Sequence, residues 1–295
     1  MDDEWLAGRF EDHRSRLRGV AYRMLGSLTE ADDAVQDAWE RVSRAGADDV
    51  ENLGGWLTTI VARVCLNMLR TRKTRRESSL EFYLPDPIVS ADDEAGPEEK
   101  AMLADSVGLA LQIVLDTLSP DERVAFVLHD MFDLPFDQIS PMLDRTPQAT
   151  RQLASRARRR IKGANIRQPE GDLARQRAVV DAFYAASRAG DLDALVALLH
   201  PDVTLRVDSS PSQPHQSTVI RGAALVAHQA RLGAQPSSKI HPAVVNGAAG
   251  YVITRRGRPF VLMAFTVNDD KITEIDVIGD RERVERVIGT FSLDE

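Results

Sequence analysis

Apolar side chains recur every three or four residues through the first 76 positions of the chain, which is the spacing of amphipathic helices. A first helix ends at Gly26, and Thr29 is placed to cap the second one. After Gly54-Gly55, a long third helix runs from Trp56 to Arg76. We therefore predict that residues 5–76 are wholly helical. Their apolar stripes contain Phe10, Leu17, Val20, Ala21, Met24 and Leu25; Val35, Ala38, Trp39 and Val42; and Trp56, Leu57, Ile60, Val61, Val64, Cys65, Met68 and Leu69.

Residues 78–104 interrupt the helical pattern with prolines and acidic side chains. Such a composition has little power to build a core, so we predict a linker. Within it, Phe82-Tyr83-Leu84 forms an apolar island of the kind that docks on another surface. Helical spacing then returns in a predicted domain at 105–166, which includes a helix start at Ser119-Pro120.

The pattern changes again after Gly171, where helices give way to strands. Two amphipathic helices, Asp172–Arg188 and Leu192–Leu199, precede the strands, and a final helix follows at Arg281–Ile288. Helices followed by a meandering sheet predict an α+β domain of about 120 residues, near the usual domain size. We place this domain at 172–295, after a first domain at 1–77. The predicted strands are Val203–Asp208, Ala243–Thr254, Phe260–Asn268 and Ile272–Ile278.

Composition is that of a globular protein of two or three domains, since 43% of the 295 residues are hydrophobic and 28% are charged. The single cysteine, Cys65, excludes an internal disulfide, and its apolar neighbours predict a buried thiol. No apolar run is long enough to span a bilayer, and the acidic start Met1–Glu4 cannot be the positive end of a signal peptide. We therefore expect a cytoplasmic protein without a membrane partner.

One segment opposes the net charge of −8, because Thr146–Arg167 carries seven Lys/Arg and no Asp or Glu. It follows a shorter helix and a turn, which is the order of a helix-turn-helix. Gln and Arg suit base edges, and Arg and Ser suit phosphates. A solvated arginine-rich face is the simpler alternative, but exposed helices normally mix signs. Helical spacing turns Thr150, Leu153, Ala157 and Ile161 inward. The residues that this spacing turns outward are Gln148, Arg151, Gln152, Ser155, Arg156 and Arg159.

Two further surfaces follow from the helical pattern of the first domain. The third helix joins Trp56 to a basic end, a combination that suits melted DNA, although such a tryptophan is more often a core residue. The second helix has an acidic face, which would repel DNA and either binds another partner or is merely solvated. That face consists of Asp33, Gln36, Asp37 and Glu40.

Several sequence blocks are collectively specific for one family. Through them, residues 5–165 resemble a sigma factor of the extracytoplasmic-function (ECF) group, with a region 2 helical bundle, a linker and a region 4 helix-turn-helix, both domains all-α. The C-terminal domain and the linker block Tyr83–Pro87 resemble the subgroup with a SnoaL-like extension, a cone-shaped α+β fold related to nuclear transport factor 2. The sigma blocks are Asp32–Trp39, Gly55-Trp56-Leu57, Leu118–Arg123, Pro135–Ile139 and Arg151–Arg158.

This resemblance implies a partner for each surface. The acidic face would bind the β′ clamp helices of core RNA polymerase, with the β flap as a further contact, and the basic helix would bind the −35 element of promoter DNA. The linker, with Tyr83, Leu84, Pro85, Asp86 and Pro87, would thread towards the polymerase active-site cleft. The −10 element would be recognised and opened by Trp56, Arg63, Asn67, Arg70, Arg72, Lys73, Arg75 and Arg76.

Three positions depart from the family pattern. Arg63 stands where many members carry Asn for a flipped −10 base. Pro141 lies in the scaffold helix of region 4, where it is tolerated if Asp137 caps the helix and would kink it otherwise. The subgroup's Asp-Gly-Gly-Gly-Arg/Lys loop corresponds to Asp208–Pro214, which keeps the aspartate of this regulatory loop and lacks the glycines. A contact of that loop with the sigma core is therefore left open.

The SnoaL-like resemblance implies a cavity, and with it three roles for the C-terminal domain: a protein-contacting regulator, a sensor of an unknown small ligand, or an enzyme. We favour the regulator, and we expect no catalytic residue, cofactor, metal or separate anti-sigma factor. The acid/base candidates for an enzyme are Tyr184, His200, Asp208, His215, His228 and Asp276.

The chain as a whole is predicted to be an alternative sigma factor regulated by its fused C-terminal domain. One alternative is a one-component DNA-binding regulator that senses a ligand, although such a protein has no use for the acidic face. The other is an enzyme with a DNA-binding appendage.

Overall fold

The computed structural model describes residues 3–46, 50–76, 84–90, 109–164, 172–209, 217–233 and 238–289. Contacts within the chain divide it into two compact units. The first contains residues 1–80 and 111–166, and the second contains residues 81–110 and 167–295. None of the described helices combines the length and apolar character needed to cross a membrane.

The first unit begins with three helices, α1 (Asp3–Leu25), α2 (Leu28–Ala45) and α3 (Leu53–Arg76). Their apolar stripes meet in a common core, in which Cys65 is buried as predicted. The predicted cap of α2 is wrong: Ser27, not Thr29, has the extended backbone of a capping residue, and its side chain accepts a hydrogen bond from the Glu30 amide at 3.5 Å. Thr29 already lies inside the first turn.

Four shorter helices follow, and apart from Leu109 and Ala110 they belong to the first unit. They are α4 (Leu109–Asp116), α5 (Pro120–Phe126), α6 (Phe136–Leu143) and α7 (Pro147–Gly163), and a π-helical turn (Val127–Met131) follows α5. The helix start predicted at Ser119-Pro120 is present, because Ser119 and Glu122 form a reciprocal capping box. Pro135 occupies the cap position of α6, so Asp137 lies in the first turn and Pro141 is inside the helix, beyond the first turn in which it would be tolerated.

The second unit is built on a seven-stranded sheet of order β1-β4-β5-β6-β7-β2-β3, in which only the β2–β7 pairing is parallel. Its helices are α8 (Leu173–Ala189), α9 (Leu192–Leu198), α10 (Ala223–Gly233) and α11 (Arg281–Ile288). The strands are β1 (Val89–Ser90), β2 (Leu199–Asp208), β3 (Thr218–Arg221), β4 (Ser238–Val245), β5 (Ala248–Arg255), β6 (Arg258–Asn268) and β7 (Lys271–Ile278).

The single strand predicted at Ala243–Thr254 is wrong, because this segment is a β4–β5 hairpin. Asn246 and Gly247 turn the chain with φ of 51° and 80°. Positive φ at both central residues of a two-residue turn is the pattern that favours Asn-Gly, so the dipeptide was a usable signal.

The described part of the linker also departs from the prediction that it builds no core. Residues 84–90 are all buried, and β1 pairs antiparallel with β4, with Val89 opposite Val245. Ile88 donates its amide hydrogen to the Asn246 side chain at 2.8 Å and accepts one from the Asn246 amide at 2.8 Å. This segment is therefore buried in the C-terminal domain and ends in a short edge strand of its sheet. Phe82 and Tyr83 lie outside the described residues.

Candidate functional site

The basic helix α7 presents its predicted faces. Thr146 caps the helix by accepting a hydrogen bond from the Ala149 amide at 3.2 Å. Thr150, Leu153 and Ala157 are buried on the inner face of the helix. Ile161 is half-buried. The outward residues are all exposed; they are Gln148, Arg151, Gln152, Ser155, Arg156 and Arg159.

Two arginines of α7 are held by Glu122, which forms the capping box of α5 together with Ser119. Arg156 and Arg160 donate to its two carboxylate oxygens at 3.0 and 3.1 Å. Burial opposes ionisation of this carboxyl, but the Ser119 amide and these guanidinium groups outweigh it and lower the pKa of Glu122. Because Glu122 stays charged, it fixes α7 against α5 and positions Arg156 before any ligand arrives.

The acidic face of α2 is presented on one side of the helix. Asp33, Gln36, Asp37 and Glu40 are all exposed, whereas Ala31, Ala34, Val35, Ala38 and Val42 fill the opposite side. Glu40 pairs with Arg44 at 2.8 Å. The face therefore offers carboxylates to a partner without any rearrangement of the helix.

The residues of the predicted −10 surface of α3 fall into two groups: some are exposed, and others form ion pairs within the first unit. Trp56 is half-buried, while Arg63 and Asn67 are exposed. Arg70 pairs with Asp121 of α5 at 2.9 Å, and Arg72 donates to the Leu25 carbonyl at 2.9 Å and pairs with Glu30. The side chains of Lys73, Arg75 and Arg76 lie outside the described residues.

Arg283 of α11 is a buried charged residue that the sequence analysis did not single out. Its guanidinium donates to Asp86 at 2.6 Å, to Asp208 at 2.7 Å and to the Leu84 carbonyl, and Leu84 donates its amide hydrogen to Asp208 at 2.7 Å. Arg283, Asp86 and Asp208 are 3%, 1% and 3% exposed. Burial raises the pKa of Asp208 although the Leu84 amide and Arg283 oppose the shift. We call Asp86, Asp208 and Arg283 the linker clasp.

A signal for the linker clasp was present in the sequence. Arg283 falls between Asp280 and Val284 in a helix whose inward stripe is Val284, Val287 and Ile288, so an arginine occupies a position of the apolar stripe. A charged residue on a buried face requires a partner of opposite charge. The partners themselves are far away in sequence, which is why local spacing could not name them.

The C-terminal domain contains a cavity of about 400 Å³ between its sheet, α8 and α10. Alternate residues of the strands line it, including Leu205, Met263, Phe265 and Ile275. Among the described residues, its polar side chains are Tyr184, Ser187, Gln229, Ser238 and Tyr251, and none is Asp, Glu or His.

The acid/base candidates are not brought together. Tyr184 lines the cavity, whereas Asp208 and Asp276 alternate with cavity-lining neighbours and therefore point to the other face of the sheet. His200 accepts a hydrogen bond from the Asp202 amide at 3.0 Å, and His228 is exposed on α10. His215 lies outside the described residues. The described residues also contain no cluster of three side chains able to hold a metal.

Asp276, on the face of the sheet opposite the cavity, makes the stability of the C-terminal domain depend on pH. Arg206 pairs with both Asp276, at 2.9 Å, and Glu274, at 3.1 Å, so one guanidinium serves two carboxylates. Burial raises the pKa of Asp276 to about 6, with Arg206 opposing and Glu274 adding to the shift. The folded state therefore binds this proton more tightly than the unfolded state, whose carboxyl titrates near pH ~4.

We expect the C-terminal domain to lose stability as the pH rises from about 4 to about 6, by about 3 kcal/mol at 1.4 kcal/mol per pKa unit. The three tryptophans at positions 5, 39 and 56 do not report on this domain, so hydrogen exchange of the β2 and β7 amides is the measurement. Asp276→Asn should flatten the dependence. The control is Asp269→Asn. Asp269 is exposed, and its φ of 48° is one that Asn also adopts, so this substitution should leave the pH dependence of stability unchanged. Equal pH profiles for the two variants contradict the assignment.

The chain is similar to known proteins over both units. The Sigma-70 region 2 model matches residues 9–75, and the Sigma-70, region 4 model matches residues 109–161. ECF RNA polymerase sigma factor SigJ of Mycobacterium tuberculosis strain H37Rv is 39% identical over 213 residues, which cover 72% of this chain and 68% of SigJ. Probable ECF RNA polymerase sigma factor SigI of the same species (strain CDC 1551) is 38% identical over 207 residues, 69% of this chain and 70% of SigI.

The similarity extends to the architecture. The crystal structure of M. tuberculosis SigJ superposes with a TM-score of 0.72 at 34% identity, covering 94% of this chain and 97% of SigJ. Two all-α sigma domains and an α+β SnoaL-like domain are therefore confirmed as the fold class. The family models, the sequence identity and this superposition agree, and the chain belongs to the ECF RNA polymerase sigma factors.

Proposed function

We propose that this protein is an alternative sigma factor that binds core RNA polymerase and directs promoter recognition and transcription initiation. The observation that carries the proposal is the pairing of two opposite surfaces on one chain: the exposed carboxylates of α2 and the exposed, acid-free outer face of α7. An acidic helix repels DNA and suits a protein partner, while α7 suits duplex DNA. We assign the chain no reaction of its own.

Within this function, each of the two helical domains binds one promoter element. The α2 face binds the β′ clamp helices, α3 engages the −10 element through Trp56, Arg63 and Asn67, and α7 reads the −35 duplex. Region 4 also meets the β flap. Arg70 and Arg72, which are engaged inside the first unit, join the −10 contact only after leaving Asp121 and Glu30.

The C-terminal domain regulates by holding the linker. The linker clasp and the β1–β4 pairing together bury Leu84–Ser90, including Pro85 and Pro87, which is the segment proposed to thread into polymerase. A linker held in the sheet is not available to the polymerase cleft, so the fused domain does in the same chain what a separate inhibitor would do. That no separate anti-sigma factor is required stays a prediction.

Substitution of Arg151 and Arg159 by alanine tests the promoter assignment. We expect run-off transcription with core polymerase from a −35-dependent promoter to fall about tenfold or more, and the slope of log affinity against log salt to become less steep by about 2, one for each lost phosphate contact. Both guanidiniums are exposed, so the fold should be unaffected.

The matched control is Arg188→Ala with Arg231→Ala, two exposed arginines of the C-terminal domain, which should leave the salt slope unchanged. Full transcription and an unchanged slope for the α7 variant would remove this helix from promoter binding. No transcription by the unaltered chain from any member of a promoter library would count against the sigma activity itself.

A further inference from the structure

The cavity of the C-terminal domain opens beside a cleft of a different chemical character. The cavity wall is predominantly apolar, with Phe183, Leu205, Met263 and Phe265 among its lining residues. The neighbouring cleft, of about 350 Å³, is lined by Arg255, Arg256, Arg281, Pro259 and Phe260. An apolar chamber and a cationic cleft thus meet at the same end of the sheet.

Phe260 is the wall that the two spaces share. The β5–β6 register shifts beside it, since Ile253 pairs with Val261 and Thr254 with Pro259, which leaves Phe260 as the extra residue of a bulge. Its side chain lines both the cavity and the cleft and is 40% exposed. The bulge therefore places one large aromatic ring against both spaces, so that a single bound molecule can contact the cavity and the cleft together.

Arg255 brings positive charge to the cavity mouth. It lies two residues beyond Ile253 on the cavity-facing side of β5, and its guanidinium stands over the Phe260 ring at 5.5 Å. Arg256 and Gly257 form the tip of the β5–β6 hairpin, with φ of 54° and 72°, so the arginines are carried on a tight turn and not on a long loop.

Most of the guanidiniums around the cleft lack an acidic partner within the described part of the chain. Among the described residues, Arg255, Arg256 and Arg258 form no ion pair, whereas Arg281 pairs with Glu285 at 3.0 Å. The excess positive charge stands on a chain whose net charge is −8. Such a local reversal of sign marks a surface that binds an anion.

We propose that this domain binds an amphipathic organic anion, whose apolar body fills the cavity and whose carboxylate or phosphate group binds Arg255 and Arg256 at the mouth. An arginine guanidinium can donate two parallel hydrogen bonds to either a carboxylate or a phosphate group. A cavity of about 400 Å³ accommodates a molecule of drug-like size. The proposal goes beyond the sigma activity and does not depend on it, because binding is measured without polymerase or DNA.

DNA phosphates are the main competing partner for an arginine cluster. They account for the charge but not for the apolar chamber behind it or for the aromatic ring turned into the junction. An amphipathic molecule uses all three features, which is why the small anion is favoured.

The test is calorimetric titration of the full chain with three probes: dodecanoate and dodecyl phosphate below their micelle concentrations, and the neutral methyl dodecanoate below its solubility limit. At least one anion should bind with one-to-one stoichiometry and at least tenfold more tightly than the ester. Arg255→Gln with Arg256→Gln should weaken anion binding about tenfold and leave the ester unchanged. Val277→Trp, which fills the cavity, should abolish the binding of all three.

The control is Arg188→Gln with Arg221→Gln, which makes the same charge change on exposed residues that line neither the cavity nor the cleft and should leave every affinity unaltered. Equal affinity for acids and ester, unchanged anion binding in the Arg255/Arg256 variant, or no binding of any probe would overturn the proposal. A variant that keeps anion binding but flattens the salt dependence of promoter binding would assign the arginines to DNA instead.

Discussion

Charge reversal at Asp33 and Asp37, with both residues changed to lysine, is expected to lower the affinity of the chain for core RNA polymerase about 100-fold or more. Each substitution replaces an attractive contact with a like-charge contact at the proposed clamp-helix interface, and a loss of about 1.4 kcal/mol per position already amounts to a factor of ten each. Both side chains are exposed and lie away from the core stripe of α2, so helix and fold should persist.

Fluorescence anisotropy with labelled protein measures this affinity, and duplex binding by α7 should be unchanged in the same variant. Asp193→Lys with Asp202→Lys provides the control, since it makes the same change of net charge on exposed residues of the C-terminal domain. Polymerase binding that survives the α2 reversal and matches the control would deprive the sigma function of its partner surface. The one-component DNA-binding regulator would then become the better account.

Replacement of Arg283 by methionine is expected to destabilise the C-terminal domain by about 3–5 kcal/mol, because it leaves two buried carboxylates, Asp86 and Asp208, without their cation. Methionine keeps much of the apolar volume, so the loss is mainly electrostatic. The Leu84 carbonyl and its neighbours lose their anchor as well. Hydrogen exchange should therefore accelerate at the Leu84 and Ile88 amides and throughout β4.

The same helix supplies the control for this prediction. Arg286 is exposed on α11, and Arg286→Met should change exchange at Leu84 and Ile88 by less than a factor of about 2, as expected for surface substitutions. Adding Asp86→Asn and Asp208→Asn to Arg283→Met should recover part of the stability, since the uncompensated charges are then gone. Equal effects of the Arg283 and Arg286 variants would mean that the linker clasp does not hold the linker.

Local periodicity predicted what depends on neighbours in sequence. The buried positions Thr150, Leu153 and Ala157 of α7 follow from i, i+3 and i+4 spacing alone, and the final helix has the predicted bounds Arg281–Ile288. The family resemblance supplied the proposed roles of the surfaces, which spacing could not. The Asn246-Gly247 dipeptide is a local turn signal, but it lies within a long apolar run that was predicted as a single strand.

Long-range pairing accounts for what the sequence did not predict. Arg283 and Asp86 are 197 residues apart, and no local pattern connects a helix near the C-terminus to a proline-rich linker. The linker composition indicated weak core-forming power, yet Leu84–Ser90 is buried because the edge of an existing sheet supplies the partners that the segment lacks. The cavity mouth is likewise assembled from β5, β6 and the start of α11.

The pairing of β1 with β4 also has a consequence for the state in which the linker is engaged elsewhere. β4 is the last strand of the main sheet on that side, and Val244 and Val245 are the residues that β1 covers. Departure of the linker uncovers unpaired backbone groups on an apolar strand, which is a template for strand addition between copies. Under the proposed regulation, the strand that restrains the linker also shields the sheet edge from self-association, and release of the linker would have to leave that edge short-lived or occupied.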